Sequence, residues 1–194
     1  MNYDFEGKET SFKKKSRIKI GFIILFFLLA VLISMIINRF VLEIALVEGA
    51  SMEPCLFSGE RLIVFKLAYA FTEPKAQDII VLHFLPSDGV EKTENTMNLE
   101  YIKRIIGTPG DLIDLKYQQV YLNKDLLNES YAQGVTRQKK LLYPMEIHNN
   151  HCFVMGDNRE YSRDSRDIGL VSTKYIIGKA VFRIWPLTKI GVIK

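Results

Sequence analysis

The stretch "YIKRIIGTPGDLIDLKYQQVYL", residues 101–122, decides the fold class. Its apolar runs are short and rich in β-branched and aromatic residues. Thr108-Pro109-Gly110-Asp111 separates them with turn chemistry, proline presetting one φ and glycine accepting a positive one. No apolar stripe of helical period persists for ten residues. The same texture runs outward in both directions. "ERLIVFKLAY" (60–69), "QDIIVLHFL" (77–85), "HCFVMGD" (151–157) and "GKAVFRIWPL" (178–187) each read as a strand, and Ser58-Gly59, Ser87-Asp88-Gly89 and Asp157-Asn158 supply turns between them. Only residues 66–72 hint at a helical period. Residues 84–100 read as a polar, mobile loop and 128–150 as a second long connection. The expected fold is mostly β, of coiled antiparallel β-sheets with non-local pairing.

Upstream the pattern changes. "IGFIILFFLLAVLISMIIN" (20–38) carries no charge. At ~1.5 Å per residue it extends roughly 28 Å as a helix, enough to cross a bilayer core. A cleaved secretory signal has a shorter apolar region, about 7–15 residues, ending at a small-residue site. Here the run is longer and "NRFVLEIALVEG" follows, so the span reads as retained. The cluster "KKKSRIK" (13–19) orients it with the amino terminus cytoplasmic and the remainder outside the cell membrane. The expected organisation is a cytoplasmic basic tail (1–19), one transmembrane helix (20–38) and an extracytoplasmic β-domain (39–194).

Charge follows this division. Residues 1–19 hold six Lys/Arg against three acids, so most of the net +4 lies in the tail. A nucleic-acid binder carries its basic surface on the folded domain, and that class is discounted. Two cysteines, Cys55 and Cys152, make no disulfide framework and are expected as thiols. Three histidines, two of them in the polar turn "EIHNNHC", give no metal-ligand spacing, so neither metal nor other cofactor is expected.

Three segments carry candidate chemistry. "VEGASMEPCLFSGERL" (47–62) places Ser51 in a turn between apolar residues, a few positions after the span. A serine hydroxyl needs a base. No G-x-S-x-G elbow surrounds Ser51, and no S-x-x-K begins there, since position 54 is proline. The S-x-x-K matches "SFKK" and "SRIK" fall in the basic tail. A desolvated lysine can serve instead, because burial disfavours its ammonium form. "EYIKRIIGTPGD" offers Lys103, which in a strand shares a face with Tyr101 and Ile105, whereas Arg104 shares the other with Ile102 and Ile106. One of the two basic side chains is then expected inward and the other outward; an edge strand with both solvated fits the segment equally. "MGDNREYSRDSRDIGLV" (155–171) reads either as a polar surface loop or as a buried network of Asp–Arg pairs.

Taken in order, "SMEPCL", "QDIIVLHF", "YIKRIIGTPGD" and "GDNREYSRDSRDIG" resemble the boxes of type I signal peptidases, membrane-anchored Ser-Lys proteases that remove signal peptides from exported proteins. The single span and short connections resemble the compact bacterial form. The resemblance implies Ser51 as nucleophile and Lys103 as general base. It gives Ser162 a hydroxyl that holds the lysine amine, makes Asp164 and Arg166 a supporting salt bridge, and has Gly156, Asp157 and Asn158 brace it. Val47, Met52, Leu56, Val81 and Ile102 would line shallow pockets for small side chains, giving an Ala-x-Ala preference. The Ser51 N–H would be one oxyanion donor. Some members add a serine two positions before the nucleophile, where this chain has Gly49, so the second donor is open. Cys55 replaces the commoner threonine without expected catalytic loss. Implied partners are preprotein signal peptides, membrane lipid and the secretion translocon. The self-cleaving repressor proteases share Ser-Lys chemistry, but they are soluble and carry a DNA-binding domain. An inactive, membrane-tethered peptide-binding β-domain is the remaining alternative. The apolar carboxyl segment "FRIWPLTKIGVI" (182–193) is expected in the core.

Overall fold

The structure, a computed structural model, describes residues 6–83 and 100–193. It divides into two units, 1–41 and 42–194. The first is one helix, α1 (Glu6–Phe40). Its stretch Gly21–Phe40 has a mean hydropathy of 2.7 and contains no buried residue, as suits a membrane-crossing helix. The helix also runs through the basic segment expected as a tail, where Lys and Arg are good helix formers.

The second unit is mostly β. The strands are β1 (Leu42–Leu46), β2 (Arg61–Phe65), β3 (Ile79–His83), β4 (Glu100–Gly107), β5 (Leu112–Lys116), β6 (Gln119–Leu122), β7 (Asp125–Leu126), β8 (Met145–Glu146), β9 (His151–Met155), β10 (Val171–Ser172), β11 (Ile176–Trp185) and β12 (Gly191–Val192). Every strand pairing is antiparallel. The larger sheet has the order β1-β2-β11-β3-β4-β9-β10, with β12 added on β11; the smaller has the order β7-β6-β5-β8. Long β11, arriving late in the chain, sits between β2 and β3, which is the non-local pairing expected. The polar segment expected as a mobile loop lies, apart from Glu100, outside the described residues. The 66–72 region contains a short 3-10 helix, Lys66–Tyr69.

Strands β3 and β4 are buried on both faces over most of their length, hence their near-continuous apolar sequence. Ile80, Leu82, Ile105, Cys152 and Val154 form one core cluster on this central part of the sheet. A second, with Ile106, Ile113, Val120 and Phe153, joins the smaller sheet to β9. A third, with Val47, Met52, Leu56 and Leu62, underlies the loop between β1 and β2. The carboxyl segment departs from expectation: Trp185, Leu187, Ile190 and Val192 are exposed, and Ile193 packs against the third cluster. Its turn-rich sequence gives a 3-10 turn (Leu187–Lys189) and the two-residue β12, too short to bury every apolar side chain.

Candidate active site

Ser51 lies in the loop from Val47 to Glu60 between β1 and β2. The loop closes at its base, where Val47 N–H donates to Glu60 O (2.9 Å) and Gly59 N–H donates to Val47 O (2.9 Å). Gly59 has φ +88°, a conformation that favours glycine there. Within the loop Leu56 N–H donates to Met52 O (2.8 Å), making a helical turn just after the serine.

Lys103 comes from mid-β4, paired with Ile80 of β3, and is 4% exposed. Its Nζ is 2.8 Å from Ser51 Oγ and 3.0 Å from the Ile102 carbonyl oxygen. Burial draws its pKa from the ordinary 10.5 down to about 8; Asp164 and Asp157 pull it up, and Lys139 pulls it down. A sizeable fraction of the amine is therefore neutral in mildly alkaline water, and a neutral amine can accept a hydroxyl proton.

Arg104 corrects the inward–outward expectation, since it is 1% exposed and both basic side chains are buried. Its Nε and Nη2 donate to Asp157 Oδ1 and Oδ2, each at 2.8 Å, and Nη1 donates to Gln77 O (3.0 Å). The guanidinium also stacks 4.1 Å from the centre of the Tyr131 ring. Strand β4 has no solvent face here, so each basic residue finds its own polar partners inside.

The segment after β9 is a buried network rather than a surface loop. Asp164 and Arg166 form a bidentate pair, with Nε to Oδ1 and Nη2 to Oδ2 both at 2.8 Å. Asp164 also caps a short helix, α2 (Ser165–Ile168), in a reciprocal capping box with Asp167. Burial pushes the Asp164 carboxyl up, but the bonds from Arg166 outweigh it and hold the group below the usual aspartate value. Gly156 N–H donates to Asp164 Oδ2 (3.1 Å), and Asn158 N–H donates to Ser51 O (3.1 Å). Network and Ser51 loop are thus joined through main chain. Gly156 is required for this approach: a Cβ there would lie 2.4 Å from Ser51 O and 2.3 Å from Ser162 Oγ.

Ser162 Oγ is buried beside Gly156, where its hydroxyl helps hold the Asp164 carboxyl down; it does not make the expected hydrogen bond to the Lys103 amine, which bonds to the Ile102 carbonyl. Cys55 is half-buried and Cys152 buried, and burial raises both thiols, Cys152 to about 11.

A groove of about 290 Å³ runs past Ser51 and Lys103, walled by Ile44–Gly49 on one side and Glu100–Lys103 on the other. Of the expected pocket residues, Val47, Met52 and Ile102 line it. Leu56 and Val81 are instead buried behind it, in the clusters that support Ile102. β1 ends the sheet, and β9 pairs with β4 only from Arg104 onward. Among the described residues, both groove walls thus present strand edges that no other strand pairs. A larger hollow, about 990 Å³, beside Lys66, Tyr69 and Lys174, includes neither Ser51 nor Lys103.

Comparison with known proteins agrees with the family resemblance read from the sequence. The family model "Signal peptidase, peptidase S26" matches residues 20–185. Signal peptidase I of Bacillus licheniformis is 35% identical over 172 residues, covering 84% of this chain and 87% of that protein. Signal peptidase I of Leptolyngbya laminosa is 36% identical over 163 residues, covering 84% and 78%. A crystal structure of a signal peptidase I from Enterococcus faecalis aligns with a TM-score of 0.43 at 24% identity, over 56% of this chain and 97% of that one. The chain belongs to the signal peptidase family, peptidase S26.

Proposed function

We propose that this protein is a membrane-anchored signal peptidase I that cuts exported preproteins after an Ala-x-Ala-like site by a Ser51–Lys103 dyad. The observation that carries the reading is the buried Lys103 amine 2.8 Å from Ser51 Oγ, with its pKa drawn down to about 8. Neutral Lys103 takes the hydroxyl proton as Oγ attacks the scissile carbonyl carbon. The oxyanion is met by the Ser51 backbone N–H. Collapse breaks the C–N bond, and Lys103 gives its proton to the departing amine of the mature protein. The signal fragment is left as an ester on Ser51. Lys103 then deprotonates a water, whose attack releases the fragment as a carboxylate. Asp164–Arg166 and Arg104–Asp157 hold the surrounding main chain, and Gly156 lets the two loops meet.

The substrate lies extended in the groove and pairs with the strand edges along its walls. Val47, Met52 and Ile102 leave room only for small side chains near the cut. Helix α1 anchors the enzyme, with its amino terminus cytoplasmic and residues from about 39 onward on the outer face, where cleavage sites emerge beside the translocon.

The test is cleavage of a purified preprotein by the full chain in detergent or lipid, with the cut mapped by mass spectrometry. Cleavage directly after Ala-x-Ala, lost in Ser51→Ala and Lys103→Met and kept in Cys55→Ala, is the expected result. Cleavage that survives both of the first two substitutions overturns the dyad.

A further inference from the structure

The nucleophile loop is held from a second direction. Arg183 of β11 donates from Nη2 to the carbonyl oxygen of Cys55 (2.6 Å), at the end of the helical turn that begins beside Ser51. Its Nε lies 2.8 Å from Glu60 Oε2, an ion pair at the foot of the same loop that lacks the angles of a hydrogen bond. Glu60 is 3% exposed, so its carboxylate faces protein rather than water. Lys189 approaches it too, 3.7 Å from Oε1, and stacks 4.3 Å from the centre of the Phe57 ring in the loop.

The backbone explains how a charged side chain reaches this place. Arg183 pairs with Leu62 of β2, whose side chain lies in the cluster under the loop. Paired residues project to the same face of a sheet, so Arg183 is directed at that apolar layer. The register between β11 and β2 shifts on both sides of it, between Ala180 and Phe182 and between Arg183 and Trp185. Such irregularities re-aim a side chain. Burying a charged pair is unfavourable unless hydrogen bonds support it; this pair makes none between its own atoms, and the guanidinium donates instead to the loop's main chain.

On the Ser-Lys reading above, on which this rests, we infer that Arg183 is a positioning residue for Ser51, fixing the loop by the Cys55 carbonyl, with Glu60 balancing its charge. The network after β9 holds the loop at Ser51 O, and Arg183 holds it four residues on. Oγ is then kept within reach of the Lys103 amine from two sides.

The experiment compares steady-state cleavage by the full chain in detergent for wild type, Arg183→Lys and the double variant Glu60→Gln/Arg183→Met, with melting temperatures beside it. Lysine keeps a charge for Glu60 but cannot hold Glu60 and Cys55 O with a planar fork. Arg183→Lys is expected to melt within a few degrees of wild type, with kcat down about tenfold or more, KM within about twofold, and the pH midpoint set by Lys103 unmoved. The double variant leaves no buried charge unmatched, so it recovers melting temperature but not kcat. Wild-type kcat in Arg183→Lys, or kcat recovered with melting temperature in the double variant, overturns the inference and leaves a plain structural ion pair. Wild-type cleavage that depends on Ser51 keeps either outcome separate from failure of the dyad itself.

Discussion

Lys103→Met is expected to abolish cleavage and to stabilise the β-domain at neutral pH. The lysine is 4% exposed, and its pKa is lowered from 10.5 to about 8. Between these values the unfolded chain keeps the proton and the folded chain has lost it. Stability therefore rises with pH through that window, and below about 8 the folded state carries the full penalty of a buried ammonium. A shift of this size corresponds to about 3 kcal/mol at pH 7, falling to about 1 kcal/mol by pH 10. Methionine is an unbranched apolar side chain one atom shorter than lysine, without the charge. It forfeits the bonds to Ser51 Oγ and Ile102 O, worth about 1 kcal/mol each, so the net gain at pH 7 is about 1 kcal/mol. For a domain of this size that raises Tm by about 2–4 °C. Thermal melts by circular dichroism in detergent, at pH 7 and pH 10, read the effect. The variant should melt higher at pH 7, and its advantage should vanish or reverse by pH 10. A variant that melts below wild type at pH 7, or whose offset is the same at both pH values, refutes the argument from desolvation.

Other outcomes follow from the same geometry. kcat/KM should fall about tenfold per pH unit well below the Lys103 pKa, with a midpoint near 8; a profile flat from pH 6 to 9 would remove Lys103 as the base. Gly156→Ala places a methyl 2.4 Å from Ser51 O, so activity should drop about a hundredfold or more even in the folded fraction isolated by gel filtration. Asp164→Asn leaves Arg166 buried with half its ion pair and should cost about 3–5 kcal/mol in urea unfolding. Because the Asp164 pKa is depressed by folding, wild type should lose this contribution as pH falls through the folded value, and the variant should show less acid sensitivity.

Much of this architecture is legible in the sequence, and the exceptions have physical causes. The β-branched runs at 79–83, 101–107 and 151–155 became strands because two-sided burial rewards uninterrupted apolar sequence, while that at 61–65 alternates buried and more exposed residues. "DLIDLKYQQVYL" is a hairpin that its apolar pattern does not announce: Tyr117 and Gln118 take φ of 52° and 64°, the primed turn that Asn-Gly usually marks. β1 went unread because "LEIAL" directly follows the apolar span and its pairing with β2 is tertiary. The Ser51–Lys103 contact was expected from the boxes, while the partners of Arg104 were not. Adjacent residues on a strand face opposite ways, and only the packing of both faces tells whether either meets water. Arg183 and Glu60 gave no local signal, since an isolated Arg in a strand and a Glu after Ser-Gly are ordinary surface residues until a register shift brings them together.

On the proposed function, the two strand edges flanking the groove, which no other strand pairs among the described residues, set a condition on timing. A slot between two edges admits one extended chain, through main-chain groups that every sequence possesses. It does not admit a helix or an edge already paired within a finished domain. Access is thus decided by the state of the incoming polypeptide more than by its composition. A segment is open to the enzyme while it is still loose, and it closes to it once it has joined a fold of its own. The competition between cutting and folding would let one shallow groove serve many unrelated sequences while leaving small-residue triplets inside mature proteins intact.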